Sequence, residues 1–195
     1  ATPTMADAMR AAGRDPAGLG RDDEALARIG TFVELHVEQG RALVDLGHAV
    51  GVGSDIWPHG RWRVDLPGQA NHAGTTRLED REDAMLGLAA MIIAARRSAM
   101  DHGCVATVGK VHVVPGGVNA IASCATGWLD ARGADADAVR RVVAEVRDVV
   151  ADFDGLMTRE SWTPTTMFDP TLVRRMSTLL GGLPVIGTGA GHDAG

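Results

Sequence analysis

The sequence has few cysteines and few aromatic residues, and both shortages narrow the chemistry open to it. Among 195 residues there are two cysteines, no tyrosine and 4% aromatic residues in total. Cys104 and Cys124 lie far apart and form no CxxC pair, which argues against a disulfide framework and against a thiolate zinc site. This cysteine usage fits a reducing, cytoplasmic location. Without tyrosine, acid–base chemistry has to use His, Asp, Glu or Lys.

Basic tracts and long apolar runs are also missing. The formal net charge is −6, so we expect neither a nucleic-acid partner nor a polybasic membrane patch. No apolar run approaches about 18 residues, so we expect no membrane span. The start at Ala1 has no signal-peptide shape and no initiator Met, which we interpret as a cut or processed chain.

What the sequence does contain is an ordinary globular composition, with 45% hydrophobic and 23% charged residues. Between residues 61 and 163, alternating strands and apolar-striped helices predict the order β-α-β-β-α-β. The predicted elements are strand 61–66, helix 81–100 capped by Asp80, strands 105–114 and 120–131, a helix capped by Asp135 or Asp137, and strand 156–163. This order is that of the ferredoxin-like split βαβ unit.

The flanking segments predict parts of a second domain. Predicted helices lie at 5–12, 22–29, 41–46 and 170–180, and predicted strands at 31–37 and 183–186. We therefore expect an α/β fold with an α+β insertion. Residues 1–50 and 166–195 would belong to one α/β domain, and residues 51–165 would form the inserted unit.

Two histidines occupy positions where chemistry is possible. The alternation in strand 31–37 places Glu34, His36 and Glu38 on one face, which suits either a solvated surface or a metal-ligand imidazole fixed by carboxylates. His72 follows a strand in the segment 71–76, which suits either a polar turn or an imidazole that donates to a developing oxyanion. Spacing alone favours the ordinary interpretation of both histidines.

Three further features also admit a structural and a functional interpretation. Arg132 is either a surface ion pair or a bidentate clamp for a carboxylate. Asn119 is either a turn residue or a binder of an amide-like group. The glycine-rich loop 189–193 offers backbone N–H groups to an anion, but it lacks the pattern of a Walker loop or of GxGxxG. The sequence contains neither HExxH nor Gly-x-Ser-x-Gly.

The order of these motifs along the chain is more specific than any one of them. The motifs are Glu34-Leu35-His36-Val37-Glu38-Gln39-Gly40, Asn71-His72-Ala73-Gly74-Thr75-Thr76, Asn119-Ala120-Ile121, Asp130-Ala131-Arg132 and Gly189-Ala190-Gly191-His192-Asp193-Ala194. Together they resemble the N-carbamoyl-L-amino-acid hydrolase and allantoate amidohydrolase family, within the aminoacylase and carboxypeptidase superfamily, over essentially the whole chain. The stretch 56–62 is more similar to the allantoate branch.

The resemblance implies a metal-dependent hydrolase that cleaves the ureido C–N bond of a small carboxylate, allantoate or an N-carbamoyl-L-amino acid. The central unit would be a lid and dimerisation domain of a homodimer. By position, the resemblance implies that His36 is a ligand in a site for two divalent ions, Zn or Mn. It implies that His72 is the catalytic histidine that polarises the scissile carbonyl across the dimer, and that Asn119 and Arg132 hold the substrate's amide and carboxylate. Gly191, His192 and Gln39 would line the pocket.

Some family features are missing, and these absences keep other interpretations open. Arg41, Arg77 and Ala122 stand where the family usually has proline, which leaves the exact substrate undecided. The family's other metal ligands and its general-base glutamate have no counterpart, and His36 alone cannot assemble a two-metal site, so we expect the isolated chain to be inactive. The alternatives are a non-catalytic dimerisation module or degenerate fragment, and a dipeptidase or aminoacylase of the same superfamily.

Overall fold

Two β-sheets and six α-helices form the described part of the protein, residues 3–195 of a computed structural model. In chain order they are α1 (Met5–Ala11), α2 (Asp23–Ala27), α3 (Ala42–Leu46), β1 (Val52–Ile56), β2 (His59–Pro67), α4 (Ala84–Asp101), β3 (Val105–Val114), β4 (Cys124–Arg132), α5 (Ala136–Ala151), β5 (Leu156–Thr163), β6 (Thr166–Met167), α6 (Pro170–Leu179) and β7 (Val185–Thr188). The first two residues, Ala1 and Thr2, lie outside this described range.

The central unit is a four-stranded sheet in the order β3-β4-β2-β5, with every neighbouring pair antiparallel. Helices α4 and α5 pack on the sheet and on each other, and a ferredoxin-like unit is therefore confirmed. Its core is apolar because the period-2 strand positions and the period-3.6 helix positions bury the same kind of side chain. The largest fully buried side chains of this core are Leu66, Met91, Leu129, Val64, Val139, Val146 and Val150.

Of the helix caps predicted for the ferredoxin-like unit, one is correct and one is wrong. Asp135 accepts the backbone N–H of Asp137 at 2.9 Å and begins α5, as one of the two predicted caps. The prediction that Asp80 caps the preceding helix was wrong, because Asp80 lies in a short 3-10 turn and Asp83 accepts the N–H of Met85 instead. Helix α4 therefore begins three residues later than the pattern indicated.

A second, three-stranded sheet has the order β6-β1-β7. Strand β1 pairs antiparallel with β6 and parallel with β7, so segments on both sides of the ferredoxin-like unit in the sequence meet in one sheet. The ferredoxin-like unit is thus inserted between β1 and β6. Strand β1 was not predicted, because Val-Gly-Ser-Asp-Ile has little of the apolar alternation that marks a strand.

The predicted strand 31–37 is not a strand in the structure. Residues 31–39 have no regular secondary structure, and Leu35 and Val37 are 94% and 73% exposed. A strand is stabilised by pairing with a neighbour, and no residue of the described chain pairs with this segment. The alternation of segment 31–37 therefore predicted an extended strand, but no strand of the described residues pairs with it.

The chain divides into two compact units. One comprises the described residues up to Leu35 together with Ala194, and within it Thr4 and Asp7 form a capping box at the start of α1. The other comprises residues 36–193 with Gly195 and contains both sheets. The predicted division at residues 50/51 and 165/166 into catalytic and lid segments stays a prediction.

The state of the cysteines and the hydropathy of the helices bear on two expectations, the cytoplasmic location and the lack of a membrane span. Cys104 and Cys124 are both free thiols, and the cytoplasmic location inferred from them stays a prediction. None of the helices in residues 3–195 combines the length and hydropathy that a bilayer crossing requires.

A carboxylate on α5 cross-links the two helices of the ferredoxin-like unit. Glu145 accepts hydrogen bonds from the Ser98 hydroxyl at 2.6 Å and from His102 Nε2 at 2.7 Å, both in the last turn or cap of α4. The Ser98 hydrogen bond, followed by the His102 one, holds the pKa of Glu145 below its ordinary value. The charged carboxylate therefore stabilises the folded state at neutral pH.

We expect Glu145→Gln to lower the urea midpoint at pH 7, with a difference from wild type that shrinks as pH falls. A lowered folded-state pKa contributes stability above the ordinary pKa of glutamate and loses it as pH falls through the lowered value. Urea titrations at pH 7, 5, 4 and 3, with Asp148→Asn on the same helix as control, measure this. A Glu145→Gln difference that stays constant across the series would contradict the assignment.

Candidate functional site

The loop that carries His72 is fixed to the start of β4. His72 forms an antiparallel bridge with Ala120, the N–H of Ala73 donates to the Asn119 carbonyl at 2.9 Å, and the N–H of Ile121 donates to the Asn71 carbonyl at 2.9 Å. His72 and Asn119 were predicted separately from two distant motifs. The structure brings them together on one short antiparallel ladder.

Arg81 holds the same loop from the other side. Its Nη2 donates to the carbonyls of Ala73 at 2.6 Å and Thr76 at 2.9 Å, and its Nε donates to Thr76 at 3.2 Å. Within the loop, the backbone N–H groups of Thr75 and Thr76 donate to the His72 carbonyl at 3.2 and 3.1 Å. The backbone below the imidazole is therefore hydrogen-bonded on both sides, although the His72 side chain itself is exposed.

The hydrogen bond to the His72 ring determines which nitrogen donates. The N–H of Gly74 donates to His72 Nδ1 at 3.0 Å. Because Nδ1 accepts, the neutral ring carries its proton on Nε2, which faces away from this contact. His72 is thus oriented as an N–H donor, the tautomer that stabilisation of an oxyanion requires.

Arg132 lies at the other end of β4, in a bidentate ion pair. Its Nε and Nη2 donate to the two carboxylate oxygens of Asp130 at 2.7 and 2.6 Å, and its Nη1 donates to the Gly189 carbonyl at 2.7 Å. The ion pair that the sequence offered as one interpretation of Arg132 is therefore present, with Asp130 as its partner. Two N–H donors of the guanidinium remain for another acceptor, such as a carboxylate.

The glycine-rich loop brings His192 close to His36. The two imidazole rings meet edge to face, with their centroids 4.5 Å apart. His192 Nε2 lies 3.2 Å from the Thr188 hydroxyl, and the N–H of Ala190 donates to that same oxygen at 3.1 Å. Thr188 at the end of β7 thereby positions the loop that follows, as expected at the carboxyl ends of parallel strands.

The environment of His36 fits a metal ligand. His36 Nδ1 donates to the Val37 carbonyl at 2.7 Å, which leaves Nε2 with its lone pair. Metal-bound histidines in proteins are commonly fixed in this way through the other ring nitrogen. Of the two flanking carboxylates, Glu38 is engaged elsewhere, because it accepts the backbone N–H groups of Ala42 and Leu43 at 2.8 and 3.1 Å at the start of α3.

The two groups of candidate residues are well separated within one chain. Asn119 and His72 lie before the start of β4 at Cys124, and Arg132 with the Gly189 carbonyl lies at its end. Strand β4 spans eight residue steps from Cys124 to Arg132, which at about 3.3 Å each is roughly 26 Å. A single small substrate cannot contact both groups of the same chain.

Two candidate residues, Gln39 and Gly191, and one residue that was not predicted, Arg81, remain to be placed. Gln39 and Gly191 are exposed in the same unit, and a methyl group at Gly191 would have open space around it. Sequence reasoning missed Arg81, whose partners are backbone carbonyls and therefore have no sequence signature. An isolated arginine nine positions after the histidine was the only signal available.

Comparisons with known proteins agree on one family, although no protein-family model matches the chain. The chain is 37% identical to the N-carbamoyl-L-amino acid amidohydrolase of Geobacillus stearothermophilus over 75% of its length and 34% of the relative's. It is 32% identical to the allantoate amidohydrolase of Escherichia coli strain K12, over 85% of its length and 43% of the relative's. The chain therefore spans less than half the length of these relatives.

Solved structures give the same result. An amidase of the hydantoinase/carbamoylase family from Burkholderia multivorans superposes with a TM-score of 0.71 and 30% identity, covering 81% of this chain and 41% of that one. The AtUAH complex with glyoxylate superposes with a TM-score of 0.79 and 25% identity, covering 97% of this chain and 49% of that one. Most of the chain therefore shares its fold with these solved structures.

We expect Arg81→Met to loosen the His72 loop without unfolding the unit. Methionine keeps the bulk of the side chain but removes the three donors that hold the carbonyls of Ala73 and Thr76. Hydrogen–deuterium exchange of segment 72–76 should be faster, while the exchange of β2 and β4 stays at the wild-type rate. Arg77→Met, which removes only exposed ion pairs, is the matched control and should leave segment 72–76 protected.

Equal exchange of segment 72–76 in Arg81→Met and wild type would show that the loop does not depend on Arg81.

Proposed function

The chain belongs to the family of N-carbamoyl-L-amino-acid and allantoate amidohydrolases over the part that these relatives share, and we propose that it contributes to hydrolysis of the ureido C–N bond of a small carboxylate. Its relatives are named amidohydrolases, which makes it a hydrolase by family. The observation that carries the proposal is the fixed His72 loop, in which the N–H of Gly74 leaves Nε2 as the donor.

His72 is the catalytic donor in this proposal. Its Nε2–H donates to the carbonyl oxygen of the scissile ureido group as negative charge develops there. The hydrogen bonds from Arg81 and to Asn119 hold the loop before substrate arrives, so little reorganisation is needed during reaction. Loss of such a preorganised donor costs on the order of 100- to 1,000-fold in rate.

Asn119 and Arg132 bind the two polar ends of the substrate. The Asn119 amide offers both a donor and an acceptor to a ureido group, and its backbone is tied to Ala73 beside His72. The guanidinium of Arg132, oriented by Asp130, offers its remaining donors to the carboxylate. Gln39, Gly191 and His192 would line the pocket around that carboxylate.

His36 would hold one of two divalent ions, zinc or manganese, whose chemistry when bound is the activation of the attacking water. The hydrogen bond from Nδ1 to the Val37 carbonyl supports this role, because it presents Nε2 outward. The edge-to-face contact with His192 limits how far the imidazole of His36 can turn.

A second copy of the chain supplies His72 and Asn119 in this proposal. The separation of roughly 26 Å along β4 prevents His72 and Arg132 of one copy from reaching one substrate. In a symmetric dimer, each site can combine His72 and Asn119 of one copy with His36, Arg132 and His192 of the other. The proposal thus explains why the two groups lie at opposite ends of a rigid strand.

The ferredoxin-like unit offers a surface for this dimer. Strand β3, ten residues long, is an edge of the four-stranded sheet, and no strand of the described chain pairs with its outer side. On α4, which packs on β3, Leu86, Ile93 and Met100 are 63%, 67% and 70% exposed at seven-residue spacing. That spacing puts the three side chains on one stripe, which we propose pairs with its symmetry mate.

We expect Ile93→Glu to convert the protein, expressed from its complete coding region, from dimer to monomer. A charge in the centre of a self-pairing stripe is opposed by its own copy and loses apolar contact. Light scattering after size exclusion measures the mass, and activity should fall with it. Arg147→Glu, on an exposed position of α5, is the control and should remain dimeric, and a dimeric Ile93→Glu would exclude this surface.

We expect His72→Ala and Arg132→Ala, each nearly inactive alone at a substrate concentration near the wild-type KM, to restore activity when mixed. In a heterodimer, one site receives His72 from one copy and Arg132 from the other and is intact, while the second site carries both lesions. With random exchange of subunits, activity should recover to about a quarter of wild type. Metal content of both variants, measured by elemental analysis, should equal wild type, because neither residue is proposed as a ligand.

Mixing His72→Ala with Asn119→Ala is the matched control, because both lesions then lie on the same side of the interface and no intact site forms. Recovery in this control, or none in the first mixture, would exclude the shared site. Turnover retained in His72→Ala alone would remove its catalytic role, and hydrolysis of dipeptides in preference to ureido acids would point to the peptidase branch.

A further inference from the structure

We propose that Trp57 is a positioning residue for Arg132, and that it sets the orientation of the guanidinium through the backbone of the glycine-rich loop. Trp57 lies in the two-residue connection between β1 and β2, and the resemblance implies no site role for it. The inference rests on the proposed role of Arg132 as the binder of the substrate carboxylate.

The backbone of Trp57 ties the two sheets together next to Arg132. Its N–H donates to the carbonyl of Thr188, the last residue of β7, at 2.8 Å, next to the paired residue Ile56 of β1. Its own carbonyl accepts from His59 Nδ1 at 2.9 Å. His59 in turn is the direct cross-strand partner of Arg132, so one short segment contacts both the loop and the strand that carries the arginine.

The indole of Trp57 lies directly against the loop backbone. A Cβ placed on Gly187 would overlap Trp57 Nε1, and a Cβ placed on Gly189 would lie 3.3 Å from Trp57 Cε3. The same Cβ on Gly189 would lie 3.7 Å from Arg132 Cδ. Glycine at 187 therefore allows the indole to lie on the loop, and a side chain at 189 would press on the indole while it only touched the arginine stem.

This packing fixes the carbonyl on which Arg132 depends. Asp130 engages one side of the guanidinium, and the Gly189 carbonyl accepts Nη1 at 2.7 Å as the third fixed contact. Removing the indole leaves the Gly187 and Gly189 backbone without its covering surface, so the carbonyl is free to move from Nη1. The guanidinium then keeps its charge and its ion pair with Asp130 but loses one constraint on its direction.

The test uses Trp57→Ala and Trp57→Phe in the protein expressed from its complete coding region, with a ureido carboxylate and its carboxamide analogue as substrates. We expect Trp57→Ala to raise KM for the carboxylate about five- to tenfold with kcat within about twofold of wild type, as loss of ground-state positioning requires. KM for the carboxamide should not change, and Trp57→Phe, which keeps an aromatic ring on the loop, should lie close to wild type.

A merely structural role for Trp57 predicts a different pattern. It would lower activity on carboxylate and carboxamide equally, and its effect would add to that of Arg132→Ala. We expect instead that Trp57→Ala has no further effect on KM once Arg132 is already alanine, because both changes act on the same contact. Additive effects in this double-mutant cycle would overturn the inference.

A readout that needs no turnover is the exchange of the Arg132 Nε–H with water, followed by 15N NMR and assigned by its loss in Arg132→Lys. We expect faster exchange in Trp57→Ala and wild-type exchange in Trp57→Phe, and equal exchange in all three would contradict the inference. If Trp57→Ala does not fold, Gly189→Ala tests the same packing, because its methyl group would lie 3.3 Å from Trp57 Cε3 and press the loop away from the indole.

The outcomes also separate this inference from the proposed function. A normal KM in Arg132→Ala would overturn the carboxylate-binding role of Arg132, and with it the inference. A raised KM in Arg132→Ala together with a normal KM in Trp57→Ala would overturn the inference alone.

Discussion

The constraint on which the rest of the site depends is the length and rigidity of β4. This strand is paired on both sides, with β2 and β3, over its whole length, so the distance between its ends cannot change without breaking the sheet. His72 and Asn119 are attached before its start, and Arg132 forms its last residue. Any function that uses both ends on one small molecule therefore has to bring the start of one β4 to the end of another.

The two groups are also held by different kinds of interaction. The His72 loop is fixed by hydrogen bonds to the backbone, from Arg81 on one side and along the ladder to Asn119 on the other. Arg132 is fixed by an ion pair with Asp130 and by the Gly189 carbonyl. The first arrangement presents a neutral donor and the second a cation, which matches a substrate with a carbonyl to polarise and a carboxylate to hold.

Much of the fold was predictable because its patterns are local. Strands β3 and β5 have the bounds predicted from alternation, since proline and glycine end the pattern where pairing ends. Segment 31–37 alternates just as clearly and is not a strand, because alternation specifies faces but does not supply a pairing partner. Strand β1 is the opposite case. Its sequence has little alternation, but it forms a strand because it pairs with β6 and β7.

The candidate site was predictable only in part, and for a related reason. The order of motifs identified His36, His72, Asn119 and Arg132, but their hydrogen-bond partners are largely backbone groups. These partners are the Gly74 N–H, the Val37 carbonyl and the Gly189 carbonyl. Because every residue has such backbone groups, the sequence does not indicate which of them form these hydrogen bonds. Trp57 likewise acts on a backbone through the shape of its indole, which only the folded chain reveals.

In the proposed dimer, each site combines residues from two copies of the chain. The most direct measurement is a structure of the intact protein with a bound, slowly hydrolysed ureido-acid analogue. We expect Arg132 of one copy to contact the carboxylate of the analogue, and His72 Nε2 of the other copy to lie within hydrogen-bond distance of its ureido carbonyl oxygen. His72 and Arg132 of the same copy on one ligand, or His72 turned away from the carbonyl, would contradict it.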